Sequence, residues 1–505
     1  MQKITNALIS VFYKDGLEPL LKTLAEHGVN IYSTGGTQSF IESLGIKVHA
    51  VENLTNYPSI LGGRVKTLHP KIFGGILARR EEASDLSEIN IYQIPLFDLV
   101  IVDLYPFEEA IQKTYDEATI IEKIDIGGIS LIRAGAKNFK HTCIIADKAD
   151  YEELNQILIS QQGATNLAQR RLFAAKAFNT TSHYDSVIFN WFNQQHHIPS
   201  FKLSFTGGKK LRYGENPHQK GYYYGALNNI LEQLHGKEIS YNNLLDVDAA
   251  VSLVEDFSEP TVAIIKHNNP CGLASRDNIN QAWQDALAGD PVSAFGGIIC
   301  LNQPVNKTLA EAIDKIFLEV LIAPAYDAQA LEILTSKKNR IILLKKGNLN
   351  QNTLIRSAAN GLLVQDKNTV VLTKENLTLV TQTQATQAEI EDLLFADKIV
   401  KHAKSNAIVL AKNKQLIGIG CGQTSRVDAL KQAIEKAKQF NFNLNGAVLS
   451  SDAFFPFPDC VEIANNHGIK VVVQPGGSIK DNESIHFCNN HKMAMYFTGI
   501  RHFKH

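Results

Sequence analysis

Short apolar runs recur along this chain, and most are followed by a turn rich in Gly, Ser or Thr and then by residues at helical spacing. This alternation constrains the fold more than any other feature. Strands joined through helices pair in parallel, and such a sheet needs helices on both faces. Residues 7–11 form the first strand. Leu17, Leu20, Leu21 and Leu24 then recur at helical spacing, and Gly28 stands where a helix stops. Residues 29–32, 46–51, 97–103 and 143–146 continue the series. Further on, the run T-V-A-I-I from position 261 reads as a buried strand that stops on Lys266 and His267, ahead of Asn-Asn-Pro. A cation beside an imidazole at the carboxyl end of a buried strand sits where open α/β sheets bind ligands. A solvated strand end would carry the same residue types, so types alone leave both readings open.

At 505 residues the chain exceeds one compact core, and two to four domains are expected. Residues 165–192 read as one or two amphipathic helices, and N-Q-Q-H-H-I-P-S at 193–200 as a polar linker. The expected organisation is therefore a first domain over 1–195, a linker over 196–210 and a second region over 211–505, itself divided near 360–380. A net charge of −1 argues against a general nucleic-acid binder and against a polybasic membrane anchor. No apolar run reaches the roughly 20 residues of a spanning helix, so no membrane association is expected. Six dispersed cysteines without a C-x-x-C pair point to reduced thiols and a cytoplasmic protein. No repeat of fixed period is evident.

Several clusters can carry chemistry. Ser33, Thr34, Gly35, Gly36 and Thr37 follow a strand and open a helix, so their N–H groups and hydroxyls can hold a phosphate at the helix amino terminus. Ser10 and Lys14 lie on the same expected edge. Between the glycines of 62–63 and 74–75 stand Arg64, Lys66, Thr67, His69 and Lys71, a positive loop suited to an anionic small ligand. Tyr105 ends a strand, and Asp125 precedes a helical stretch carrying Arg133 and Lys137 on one face. The second half adds glycine-rich loops at 290–297 and 418–426. Zinc deaminase chemistry lacks its H-x-E and P-C-x-x-C patterns, and neither a G-x-x-x-x-G-K-[ST] loop nor a G-x-S-x-G elbow occurs. Cys271 stands near His267, but a small buried thiol in a turn is the simpler reading.

Taken together, the motifs resemble one family. They are G-R-V-K-T-L-H-P at 63–70, L-Y-P-F at 104–107, I-D-I-G-G at 124–128, R-Y-G-E-N-P-H-Q at 212–219 and K-H-N-N-P-C-G at 266–272. S-A-F-G-G at 293–297, K-S-N-A at 404–407, S-D-A-F-F-P-F at 451–457 and a terminal R-H-F follow in order. The chain is similar, over residues 5–505, to the bifunctional purine-biosynthesis enzymes that join aminoimidazole-carboxamide ribonucleotide (AICAR) formyltransferase to inosine monophosphate (IMP) cyclohydrolase. The resemblance implies an α/β protein: an amino-terminal methylglyoxal-synthase-like doubly wound parallel sheet, then a pair of cytidine-deaminase-like α/β domains without zinc. It implies cyclohydrolase chemistry in 1–195 and formyl transfer in 211–505, with 10-formyltetrahydrofolate as formyl donor. AICAR, its formylated product FAICAR and IMP are the nucleotide partners, and a homodimer is the expected assembly. No metal is required, and a monovalent cation is left open.

Residue by residue, the resemblance implies His267 in proton transfer, Lys266 beside the developing oxyanion and Asn406 positioning the amine or formyl oxygen. Arg212, Tyr213 and Arg501 become nucleotide contacts, and Asn269, Phe454 and Phe455 border the folate. For ring closure the matching positions are Lys66, Tyr105, Asp125 and Lys137, with Arg64, Thr67, Ser10, Lys14 and the 33–37 turn holding the nucleotide. Phe73 stands where the family usually has His, Asp103 where it has Asn and Tyr13 where it has Asp. Asp103 is expected to put an extra negative charge beside Tyr105.

Overall fold

A computed structural model describes residues 1–349 and 352–505. The chain divides into two compact units, Met1–Gly207 and Gly208–His505.

In the first unit, strands β1 (Asn6–Ser10), β2 (Asn30–Ser33), β3 (Val48–Ala50), β4 (Leu99–Val102) and β5 (Cys143–Ile145) form a five-stranded sheet in the order β3-β2-β1-β4-β5. Every pairing is parallel. Ala7, Leu8, Ile9, Leu99, Val100 and Ile101 are all fully buried, which is why these strands read as continuous apolar runs. Helix α1 (Leu17–Glu26) covers one face, and α3 (Pro70–Leu77), α4 (Gly127–Lys137) and α5 (Leu167–His196) cover the other. Helix α2 (Gly35–Ser43) follows β2. The strand order reverses between β1 and β4, and the crevice outside their carboxyl ends is where such sheets take ligands.

Two details depart from the sequence reading. Helix α5 is a single helix of 30 residues, opened by an Asn166–Gln169 capping box and running to His196, the first residue of the expected linker. Residues beyond it stay with the first unit, because α5 side chains capture their backbone. Asn190 Nδ2 donates to the Lys202 carbonyl at 3.0 Å, and the Ile198 N–H donates to Asn193 Oδ1 at 2.6 Å. The division between the units falls at Gly207, inside the expected 196–210 linker. The 62–75 stretch is not a loop throughout: α3 begins at Pro70, and Gly75 lets it approach the sheet, since a Cβ there would lie 2.2 Å from the Pro95 carbonyl oxygen. Phe73 packs in that core.

The second unit is built on one 12-stranded sheet whose two halves share a topology. In the first half, β7 (Thr261–Lys266) and β8 (Asn269–Ser275) form a hairpin, β7 pairs antiparallel with β9 (Gly297–Leu301), and β10 (Leu318–Ala323) and β11 (Ile341–Lys345) continue in parallel. An antiparallel edge strand, β6 (Leu231–His235), closes it. The second half repeats the plan. There β13 (Ile408–Lys412) and β14 (Gln415–Gly420) form the hairpin, followed by β15 (Val448–Ser451), β16 (Val471–Gln474) and β17 (Ala494–Phe497). β12 (Thr378–Leu379) is its antiparallel edge. The halves meet where β8 and β14 pair antiparallel at Ala274 and Gln415. Each half carries a helix ahead of its hairpin: α6 (Tyr241–Val254) and α7 (Gln387–His402). Among the described residues no group of three or more His, Cys, Asp or Glu is placed to hold a metal, and no helix is long and apolar enough to cross a membrane.

Gly418 and Gly420 lie within β14 and not in a loop. Helix α8 (Arg426–Gln439) sits so close that a Cβ on Gly420 would stand 1.9 Å from the Ala429 carbonyl oxygen. A loop and a tightly packed strand both call for glycine, and the sequence pattern does not separate them.

Two candidate active sites

The first site is a cavity of about 680 Å³ at the carboxyl ends of β1, β2 and β4. Ser10, Lys14, Thr34, Gly36, Thr37, Arg64, Lys66, Thr67, Tyr105 and Asp125 all line it, so most of the expected residues converge. Its phosphate-like corner is the amino terminus of α2. A Cβ built on Gly35 would lie 3.7 Å from Lys66 Nζ, which puts that ammonium over the first turn. The neighbouring hydroxyls are engaged elsewhere: Thr34 donates to Glu52 at 2.6 Å, and Thr37 donates to the Val11 carbonyl at 2.9 Å. Backbone N–H groups and the Lys14 and Lys66 ammoniums are what remain for an anion. Arg64 is ion-paired with Glu122, which also lines the cavity.

The other end of the cavity is acid–base in character. The Asp125 carboxylate accepts from the N–H groups of Gly128 and Ile129 at the start of α4, and burial raises its pKa. Burial also raises Tyr105, with the charges of Asp125 and Asp103 adding to it, so the phenol keeps its proton. Lys123, which the sequence reading passed over, lines the same wall.

Two expected residues stand elsewhere, and a third lines the cavity but faces the backbone. Lys137 is exposed in the last turn of α4, while the first turn of that helix faces the cavity. Its ten-residue offset from the helix start corresponds to a rise of roughly 15 Å. Ser33 is fully buried, and its hydroxyl donates to the Ile9 carbonyl at 2.6 Å. Asp103 lines the cavity but directs its carboxylate to the backbone N–H groups of Phe12 and Tyr13.

Tyr184, from α5, supports this wall from behind. Its hydroxyl donates to the Lys123 carbonyl at 2.5 Å and accepts from the Asp125 N–H at 2.9 Å. Tyr184→Phe leaves two buried backbone groups unpaired, a loss of about 1–3 kcal/mol. Lower thermal stability together with a several-fold slower reaction at this cavity is the expected outcome; an unchanged melting temperature and rate would show that the bridge is dispensable.

The second site lies at one end of the seam between β8 and β14. Lys266 ends β7 opposite Asn269, and His267 and Asn268 form the two-residue hairpin turn that follows, with φ of 50° and 64°. The His267 side is exposed, while Lys266 Nζ donates to the carbonyls of Phe295 and Gly296, both at 3.0 Å. Asn269 ties this turn to the second half: its Oδ1 accepts from the Lys404 N–H at 3.0 Å and its Nδ2 donates to the His267 carbonyl at 3.0 Å. Asn406 follows directly, with its amide bonded to the Gln423 and Thr424 carbonyls and to Arg426. Arg426 and the fully buried Asp452 form an ion pair at 2.8 Å, and Arg426 Nη1 also reaches the Phe454 carbonyl. Arg426 and Asp452 lie in the 418–426 and 451–457 motifs but were given no role by sequence.

Of the two phenylalanines expected to border a pocket, Phe454 is partly exposed and Phe455 is fully buried in the core of the second half. Phe455 is thus a packing residue. Arg212 and Arg501 are exposed, each stacked on a neighbouring ring, Tyr213 at 5.4 Å and Phe503 at 4.4 Å. The loop carrying Arg212 and Tyr213 is fastened to α6 by Asn242, which donates to the Glu215 carbonyl at 3.0 Å. The Cys271 thiol is pushed up to about 12 by burial, which removes it as a nucleophile.

The repeat singles out one residue. In both halves an aspartate of the preceding helix accepts from the hairpin turn, Asp246 from the Asn268 N–H and Asp392 from the Lys414 N–H, each at 2.6 Å and a separation of 22 residues. Lys412 corresponds to Lys266, and its Nζ likewise reaches a loop carbonyl, that of Asn445 at 2.6 Å. His267 corresponds to Asn413. The lysine and the aspartate recur in both halves as parts of the turn; the histidine occurs once. The second turn is also closed off, because Lys414 pairs with Glu259 and Glu391.

Comparison with known proteins identifies the family. A family model described as AICARFT/IMPCHase bienzyme matches residues 135–436, and one described as MGS-like domain matches residues 16–130. The bifunctional purine biosynthesis protein PurH of Bacteroides thetaiotaomicron is 59% identical over 504 residues, covering 100% of this chain and 99% of that protein. The protein of the same name from Caldicellulosiruptor bescii is 47% identical over 517 residues, covering 99% of each. That of Aquifex aeolicus is 48% identical over 509 residues, covering 99% of this chain and 100% of its own.

Proposed function

The chain belongs to the AICARFT/IMPCHase bienzyme family, whose members formylate AICAR with a folate donor and close FAICAR to IMP, and on that premise we propose how its own residues divide the two reactions. Ring closure is assigned to the cavity of the first unit and formyl transfer to the seam site of the second. The observation that carries the second assignment is that two turns sharing a lysine and a helix aspartate differ in that the first presents an exposed imidazole, His267, where the second has Asn413.

In formyl transfer the AICAR amine attacks the formyl carbon of 10-formyltetrahydrofolate. The amine proton must leave as a tetrahedral oxyanion forms, and the folate nitrogen must be protonated as it departs. The exposed imidazole of His267 is the group free to move that proton. Lys266 supplies positive charge beside it, with two of its three N–H donors already held by carbonyls. Asn406, held by Arg426 and the Gln423 and Thr424 carbonyls, is assigned to positioning the amine or formyl oxygen.

In ring closure the carboxamide nitrogen attacks the formyl carbon, the new C–N bond forms, and the former formyl oxygen leaves as water. Orientation, charge stabilisation and proton transfer suffice. Lys14, Lys66 and the first turn of α2 suit the phosphate. Asp125, with one oxygen on the α4 N–H groups, can accept the amide proton through the other, and Tyr105, held as a phenol, can donate to the departing oxygen. Lys137 is left out on the ground of its position.

Two assays on one preparation test the division: folate-dependent formylation of AICAR, and closure of FAICAR without folate. Substitutions in either cluster should lower one rate and spare the other. Equal loss of both in a folded variant would overturn the assignment.

We further propose a homodimer, because His267, Arg212 and Arg501 are all open to solvent in one chain and a second copy can complete the formyl-transfer site. Specific activity for formyl transfer should then fall on dilution through the dissociation range while ring closure holds. A monomer by sedimentation with full formyl transfer would exclude it. Neither reaction calls for a metal, and a cytoplasmic location fits the six free cysteines.

A further inference from the structure

We propose that Asp103 is a positioning residue for ring closure, acting through Lys14 by fixing the orientation of two peptide groups; the proposal rests on the assignment of ring closure to the cavity of the first unit.

Asp103 is the first residue beyond β4, which pairs with β1 in register, Val102 opposite Ser10. From there its carboxylate accepts from the N–H of Phe12 at 2.5 Å and from the N–H of Tyr13 at 2.9 Å. On the other side of the same turn, Lys14 Nζ donates to the carbonyl of Val11 at 2.7 Å and to that of Phe12 at 2.8 Å. The Phe12 N–H and the Val11 carbonyl are one peptide group, and so are the Tyr13 N–H and the Phe12 carbonyl. In a trans peptide the two dipoles point in opposite directions. Holding both N–H groups on the carboxylate therefore turns both carbonyls onto the ammonium. An anion and a cation face each other through two aligned peptide dipoles, and neither touches the other.

This arrangement sets what Lys14 has left to offer. An ammonium carries three donors, and two are held by the carbonyls, so one remains for a ligand in the cavity that Lys14 lines. An asparagine at 103 has one acceptor oxygen, and its amide hydrogens would confront the second N–H. One peptide group would then be released, and with it one of the two carbonyls that hold Lys14.

The turn does not depend on Asp103 for its existence. The Tyr13 hydroxyl donates to Glu109 at 2.5 Å, Lys148 lies over the Tyr13 ring at 4.7 Å, and Lys148 also pairs with Asp15. Removing one acceptor at 103 should thus leave the chain folded and misdirect Lys14 alone.

The test is steady-state ring closure of FAICAR by the full-length protein carrying Asp103→Asn, Lys14→Ala or both, with Asp103→Glu as a second variant that keeps two acceptors. Asp103→Asn should raise KM roughly tenfold, the worth of about one charge-assisted hydrogen bond, with kcat within about twofold. Asp103→Glu should fall between the two. In the Lys14→Ala background, Asp103→Asn should add little further. Additive effects in the double variant, or a fall in kcat at unchanged KM, would overturn the role of Asp103. An unchanged KM in Lys14→Ala would instead overturn the assignment of the cavity itself.

Discussion

His267→Ala is expected to lower formyl transfer by about 10²–10⁴-fold, the usual worth of a positioned acid–base group, while FAICAR closure in the same preparation keeps its rate. The imidazole sits on a turn whose backbone is fixed without it: Asp246 holds the Asn268 N–H, Lys266 holds the loop carbonyls before β9, and Asn269 braces the turn against Lys404. His267 already carries a Cβ at φ of 50°, a conformation that asparagine adopts more readily than alanine, so a second substitution separates chemistry from backbone. His267→Asn places here the residue that the matching turn carries at Asn413, which holds φ of 53° in the same hairpin geometry. It should fold as the native chain does and be equally inactive in formyl transfer. Retained activity in His267→Asn would remove the imidazole from the proton path.

The converse result is expected of Lys66→Ala: ring closure slower by about 10²–10³-fold, formyl transfer intact. Lys66 Nζ lies over the first turn of α2, and Lys14 is lowered from its usual pKa by burial, with the Lys66 charge adding to it. Two ammoniums at one helix amino terminus are costly when the cavity is empty and favourable once a phosphate arrives. The division of the loss is therefore informative. A rise in KM alone identifies Lys66 as a phosphate ligand, and a fall in kcat identifies it with the developing charge on the formyl oxygen. Normal closure in Lys66→Ala would take the residue out of the mechanism. Tyr105→Phe, which removes the raised phenol without changing its ring, should lower kcat and leave KM near native.

What could be read from sequence follows from where each residue sits. The first unit was legible because parallel strands are buried on both faces and stand out as apolar runs, and its ligand residues lie at strand ends where turn chemistry is conspicuous. Lys137 was misplaced because sharing a helix with the Asp125 region fixes a face but not an end, and 11 residues carry α4 out of the cavity. Phe454 and Phe455 show the same limit at smaller scale: adjacent residues point apart, and only one can border a pocket. Asp103 does add its charge beside Tyr105, as expected, but its main partners are the backbone N–H groups of Phe12 and Tyr13, which donate to its carboxylate and which no side-chain pattern announces. The linker at 196–210 looked polar because its contacts include hydrogen bonds with Asn179, His183, Asn190 and Asn193 of α5.

The two halves of the large sheet bear on how ancestry is detected. Their strand orders match, yet no period is visible in the residues. What persisted is a relation: a helix carboxylate and the second residue of a tight turn 22 positions later. A search keyed to such pairs, at fixed separation and across otherwise dissimilar segments, would find duplications that residue-by-residue alignment misses. It would also mark, by the position where the copies differ, where one of them acquired a trade.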